Sequence, residues 1–331
     1  MNTKKTLILL SLFSLLFFLS CTKNFDNMTG YVEKQRSRNI NDVPKELNRQ
    51  PSIVIMGDGY TLADMEKFRQ DAQNLEKYLF DPVEGVSPFN KTPFSNYFNI
   101  FTIFLNSEER GIGDGRAKNT ILRCFYDQNM IRFDDVNFFG GRKAPSPYDV
   151  AQQFVPGINL INTIVVVLVN DTKICYSTGY RNVAFGGGNW ISLIPADVDP
   201  QEFRRLVIRE VGGRGFGRLA PLGTFFDTDL IKLWYDLYGF FANVDITDDT
   251  RTVRWAHFIN IGYPAVGVNS VGYGVYCPNL YNVMNVNSGS FEYDGPSREA
   301  IIKRIYSIHG PEWSWDNMAF NIYFGGNPPR I

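Results

Sequence analysis

Apolar positions in this chain alternate between short unbroken runs and longer stripes of helical period. Residues 52–56 of PSIVIMGDGYT form a short run with β-branched members, which predicts a buried strand. The GDG at 57–59 turns the chain. Thr61 and Asp64 then make a T-x-x-D start, and Leu62, Met65, Phe68, Ala72, Leu75 and Leu79 follow at helical spacing. An amphipathic helix is therefore expected over 62–80. FNIFTIFL at 98–105 predicts a second strand. INTIVVVLVN at 161–170 is apolar at consecutive positions, as befits a strand covered on both faces. GGGNWISLIP at 186–195 reads as another strand, closed by its proline. A helix is expected over 200–211, capped by Asp199 and opened by Pro200. A last helix is expected over 297–308, with Ala300, Ile301, Ile305 and Ile308 on its apolar side. Residues 107–160 are rich in Gly, Pro, Asp and Asn and show little regular pattern. With no repeat and no dividing linker, residues 46–331 read as one α/β domain around a mostly parallel or mixed sheet.

Composition adds bounds. The chain has 331 residues, 44% hydrophobic and 15% aromatic, ample for a large core. A net charge of −1 supplies no global field for nucleic acid or an anionic membrane. The first residues, MNTKKTLILLSLFSLLFFLSC, join a basic start to an apolar run that stops at Cys21. That run is short for a spanning helix and resembles a bacterial lipobox, with Phe18 in place of the usual leucine. The expectation is a signal peptide over 1–20, lipidation of Cys21 and a polar tether over 21–45. The chain would then be an outer-membrane lipoprotein on the cell surface or the periplasmic face, held by its lipid alone. Cys124, Cys175 and Cys277 have no zinc spacing. They read as buried small hydrophobes, with one disulfide left open for an exported protein.

The helix at 200 carries the candidate chemistry. Phe203, Leu206, Val207 and Val211 form its apolar face, and Glu210 falls on that same stripe. A carboxylate there is costly unless paired. Arg214 lies four residues on, provided the helix survives Gly212 and Gly213, each of which weakens it by about 1 kcal/mol relative to alanine. Spacing alone suggests a glycine-ended helix closed by a Glu210–Arg214 ion pair.

The stretch REVGGRGFGRLA at 209–220 is similar to the active-site helix of the IgA-peptidase family of zinc metallopeptidases, relatives of the metzincins. Members read approximately H-E-x-G-G-H-x-F-G-K-L-x-D-E-Y at this point. Glu210, Gly212, Gly213, Phe216, Gly217 and Leu219 agree without a gap. IVIMGDGYT resembles the family's opening strand and turn, and PFSNYFNIF at 93–101 its second strand. NVMN at 282–285 resembles its Met-turn, which would make Met284 the methionine beneath the metal. GPSREAIIKRI at 295–305 resembles its closing helix. The resemblance spans about 280 residues and implies a metzincin-like (zincin) fold, a single domain whose twisted mixed sheet packs against helices.

The chemistry departs from that family. A catalytic zinc takes about three protein ligands, and a nearby glutamate takes the proton of its water. In this chain the two histidine positions are Arg209 and Arg214, and the acidic ligand position is Pro221, with Leu222 in place of the next acid. Arginine is always protonated and has no lone pair for a metal. Glu210 then keeps a vestigial general-base position. His257 and His309, the only 2 histidines, lie in other segments and read as structural or surface residues. No metal and no cofactor are expected, although the family's cofactor would be zinc. Two guanidiniums would restore the two positive charges of a lost Zn²⁺. The resemblance implies a metallopeptidase fold without catalysis, serving as a binding or interaction module for a peptide, a protein or an anionic glycan. The competing expectation is an active metallopeptidase or other hydrolase with an atypical metal site.

Overall fold

The computed structural model describes residues 30–37, 50–80, 87–91, 94–128, 130–134, 144–172, 179–182, 189–222 and 228–309. A six-stranded sheet runs through its middle in the order β1-β3-β2-β7-β9-β8. Its strands are β1 (Gly30–Ser37), β2 (Ser52–Asp58), β3 (Asn99–Leu105), β7 (Thr163–Val169), β8 (Gly179–Asn182) and β9 (Asn189–Pro195). The four central strands are parallel, and β1 and β8 close the edges antiparallel.

Period-two alternation divides this sheet between two cores. Ile53, Ile55, Ile164, Val166 and Leu168 face one side. There they meet α1 (Met65–Phe80), α3 (Pro200–Leu206) and α6 (Gly295–His309). Val54, Met56, Val165, Val167 and Val169 face the other. That side is covered by α2 (Pro147–Phe154) and by a small sheet of β4 (Gly113–Asp114), β5 (Cys124–Asp127) and β6 (Met130–Phe133). Coverage of both faces explains why β2 and β7 are unbroken apolar runs. Further described elements include α4 (Thr228–Tyr238), α5 (Ala256–Asn260) and the hairpin of β10 (Asn269–Gly272) and β11 (Val275–Cys277). The result is a mixed α/β fold with a parallel-rich sheet.

Three expectations need correction. The tether expected over 21–45 is in part sheet, since Gly30–Ser37 pairs with β3 from Leu105 back to Asn99. Residues 107–160 hold the small sheet and α2. Its strands have two to four residues, too few for a readable period. The helix expected to stop at 211 does not stop there. Past Leu206 it continues to Phe216 with i→i+5 hydrogen bonding. Elsewhere the agreement is close: α1, β3, β7 and α6 each lie within three residues of the expected bounds.

Asp58, at the end of β2, ties the two layers together. Its buried carboxylate accepts from Thr120 Oγ1 at 2.9 Å and from the backbone N–H groups of Leu122 and Cys124 at 3.0 and 2.8 Å. Burial raises its pKa, and those hydrogen bonds oppose the rise.

Candidate functional site

The site is built on the helix that follows β9. Asp199 caps it, accepting from Gln201 N–H at 2.9 Å and Glu202 N–H at 3.3 Å. Phe203, Leu206, Val207 and Val211 are buried against the sheet, as their spacing requires. From Val207 to Phe216 the winding widens, and Gly217 N–H returns to the Gly212 carbonyl at 2.8 Å. Wide turns of this kind concentrate at functional sites. Side chains from other elements bind the carbonyls of this segment. Ser192 Oγ on β9 donates to the Glu210 carbonyl at 3.0 Å, and Tyr293 Oη donates to the Ile208 carbonyl.

Two glycines let neighbours approach. A Cβ at Gly212 would stand 2.4 Å from Tyr293 Oη, and one at Gly213 would stand 2.4 Å from Met284 Sδ. Met284 is fully buried and lies directly against the helix. The chain leaving the helix passes the same methionine: Leu222 N–H donates to the Met284 carbonyl at 2.9 Å. Pro221 stands immediately before that contact.

Glu210 is 2% exposed, and both of its carboxylate oxygens are engaged. Arg209 Nε donates to Oε1 at 2.9 Å, and Arg214 Nη1 donates to Oε2 at 2.8 Å. Arg209 is buried, whereas the Arg214 side chain keeps 21% of its surface. The Arg214 guanidinium also lies 4.8 Å from the centre of the Trp190 ring. Burial pushes the Tyr293 phenol well above its ordinary range, and the charge of Glu210 adds to the effect, so its hydroxyl stays a donor.

The structure therefore brings Arg209, Glu210 and Arg214 into one cluster, with Met284 packed beneath Gly213. As arranged, these residues do not fit a zinc ion. Two of the three side chains are cations without lone pairs, and the carboxylate already accepts from both. Among the described residues no group of three or more His, Cys, Asp or Glu could hold a metal. His257 is used elsewhere, with Nε2 3.0 Å from Glu299 Oε2. Cys124 and Cys277 are buried free thiols; Cys175 and Cys21 lie outside the described residues. Sequence reasoning missed Tyr293, Ser192 and Trp190 as partners of this helix. Their positions carry no spacing signal, because each reaches it from a distant segment.

The model of the IgA peptidase M64 family matches residues 44–212, just over half of the chain. This chain belongs to the IgA peptidase M64 family. The matched span runs from the residues before β2 through Arg209 and Glu210 and ends at Gly212. This is a metallopeptidase family, for which zinc would be the cofactor. No curated protein matches the chain.

Proposed function

We propose that this member of the IgA peptidase M64 family is an exported lipoprotein that no longer cuts peptides and serves as a binding module. One observation carries the reading: guanidiniums of Arg209 and Arg214 hold both oxygens of Glu210 where the family resemblance calls for histidines around a metal. The substitution preserves charge, with two guanidiniums in place of a divalent cation. Pro221 stands at the third ligand position and Met284 at the Met-turn, so the scaffold of the site persists while its metal chemistry is lost. Arg214 is the member of the cluster that still meets solvent. Its guanidinium suits an anionic peptide end or an acidic glycan.

The experiment is peptide cleavage by the purified chain, with and without a chelator. No chelator-sensitive cleavage is expected. Cleavage that stops on chelation and returns with zinc would favour an active enzyme with an atypical metal site. Export as an outer-membrane lipoprotein rests on the basic and apolar start of the chain and on Cys21. A fatty-acid analogue should label the protein, and Cys21→Ala should abolish the label; unchanged labelling would remove lipidation from the account.

A further inference from the structure

Where the wide helix ends, the backbone makes an unusual turn. Arg218 follows Gly217 with φ 55°, a left-handed conformation seldom adopted by a long side chain. Its carbonyl accepts from Phe241 N–H at 2.8 Å, which pins that conformation. Beside Arg218 lies a cavity of about 640 Å³ between α4, α6 and the Arg254–Trp255 segment. Arg209, Glu210 and Arg214 do not line it.

The cavity concentrates positive charge. Arg218, Arg254, Lys303 and Arg304 face it, against the carboxylates of Asp236 and Glu299. Glu299 is committed elsewhere, to His257 and Lys303, each at 3.0 Å. Arg254 is also occupied, donating to the Val244 carbonyl and lying 3.8 Å from the Tyr235 ring centre. Arg218 and Arg304 differ. Arg218 Nη1 donates to the Tyr238 carbonyl at 3.0 Å, and its guanidinium lies 4.5 Å from the Phe240 ring centre. Arg304 lies 5.2 Å from the Phe216 ring centre. The Nε of each is buried and has no hydrogen-bond partner, and among the described residues no carboxylate pairs with either. Burial draws the pKa of Arg218 down to about 10.

We propose that this cavity binds a small organic carboxylate with an aromatic or apolar body, held by Arg218 and Arg304. The guanidinium fork matches a carboxylate, and a cavity of this size suits a small ligand. Tyr235 and Tyr238, both half-buried, supply the wall for the ligand's body. Asp236 on the same wall disfavours a second negative charge, which favours a carboxylate over a phosphate. The assignment is independent of the loss of catalysis proposed for the Glu210 cluster.

Calorimetric titration of the full chain tests it, with N-acetylphenylalanine, its neutral amide and inorganic phosphate as probes. The carboxylate should bind with Kd below about 1 mM, and the amide and phosphate at least about tenfold more weakly. Arg304→Gln should weaken carboxylate binding at least about tenfold. Arg218→Asn should do the same, since asparagine tolerates the left-handed backbone. Arg116→Gln, at an exposed arginine that does not line the cavity, should leave binding unchanged, and melting curves establish that each variant is folded. Absence of carboxylate binding, equal binding of the amide or of phosphate, or full binding by folded Arg304→Gln and Arg218→Asn would each overturn the proposal.

Discussion

Arg209 donates from Nε to Oε1 of Glu210 at 2.9 Å although the two residues are neighbours in sequence. Adjacent residues on a regular helix do not face one another. The contact is made by a long side chain folding back within the widened turn, while Arg214 closes on the other oxygen from four residues away. Glu210 is thereby a buried carboxylate with two cationic partners rather than a base open to a substrate.

Removal of one partner should show how far the cluster depends on this arrangement. Arg209→Ala leaves a buried carboxylate short of a charge and is expected to cost roughly 3 to 5 kcal/mol. Arg214→Ala should cost less, because its side chain is 21% exposed and the pair is partly screened by solvent. Arg116→Ala, at an exposed arginine, should stay within about 0.5 kcal/mol. Urea unfolding of the three variants decides the order, and an Arg209→Ala protein as stable as Arg116→Ala would refute the dependence.

The glycine at 212 is required by Tyr293. Gly212→Ala places a Cβ 2.4 Å from the phenol oxygen and is expected to cost about 1 to 3 kcal/mol through overpacking. Tyr293→Phe removes the hydrogen bond to the Ile208 carbonyl, at about 1 kcal/mol. The double variant removes the clash with the phenol oxygen and leaves the approach to Phe89 Cε2 at 2.9 Å, so its cost should fall below the sum of the two single costs. Strict additivity in denaturant unfolding would mean that the tyrosine oxygen is not what excludes a side chain at 212.

A pH dependence follows from Glu299. Burial alone would raise its pKa, but the hydrogen bond with His257 and the charge of Lys303 outweigh burial and hold it below the ordinary carboxylate value. A depressed folded-state pKa contributes stability that is present above the unfolded value, near 4.3 for glutamate, and lost as the pH falls through the folded value. Glu299→Gln should therefore melt below the parent protein at pH 7, and the gap should close below about pH 4. A gap that widens on acidification would reverse the assigned direction.

Much of this fold was legible because its central strands are covered on both sides. Val165, Val166 and Val167 must all be apolar when both faces are buried, and that run is readable without any partner. The small sheet was not legible, because Cys124–Asp127 and Met130–Phe133 are too short for a period. Helix α2 did carry a signal, in Ser146, Pro147 and Asp149, whose capping box is formed in the structure. At the site, the Glu210–Arg214 pair followed from spacing. The Arg209 contact did not, because it depends on the wide winding, and glycines read as helix breakers proved to be points of close approach. Tyr293 reaches Ile208 across 85 positions, a distance at which no local pattern operates.

The central claim is that guanidinium groups stand where this family's metal would be bound. Its most direct test is the zinc content of the chain after purification, equilibration with zinc and dialysis, read by elemental analysis against protein concentration. The account predicts far less than one zinc per chain, since Arg209 and Arg214 offer no lone pair and Glu210 is held by both. Retention of about one zinc per chain, lost in a folded Glu210→Gln variant, would contradict it.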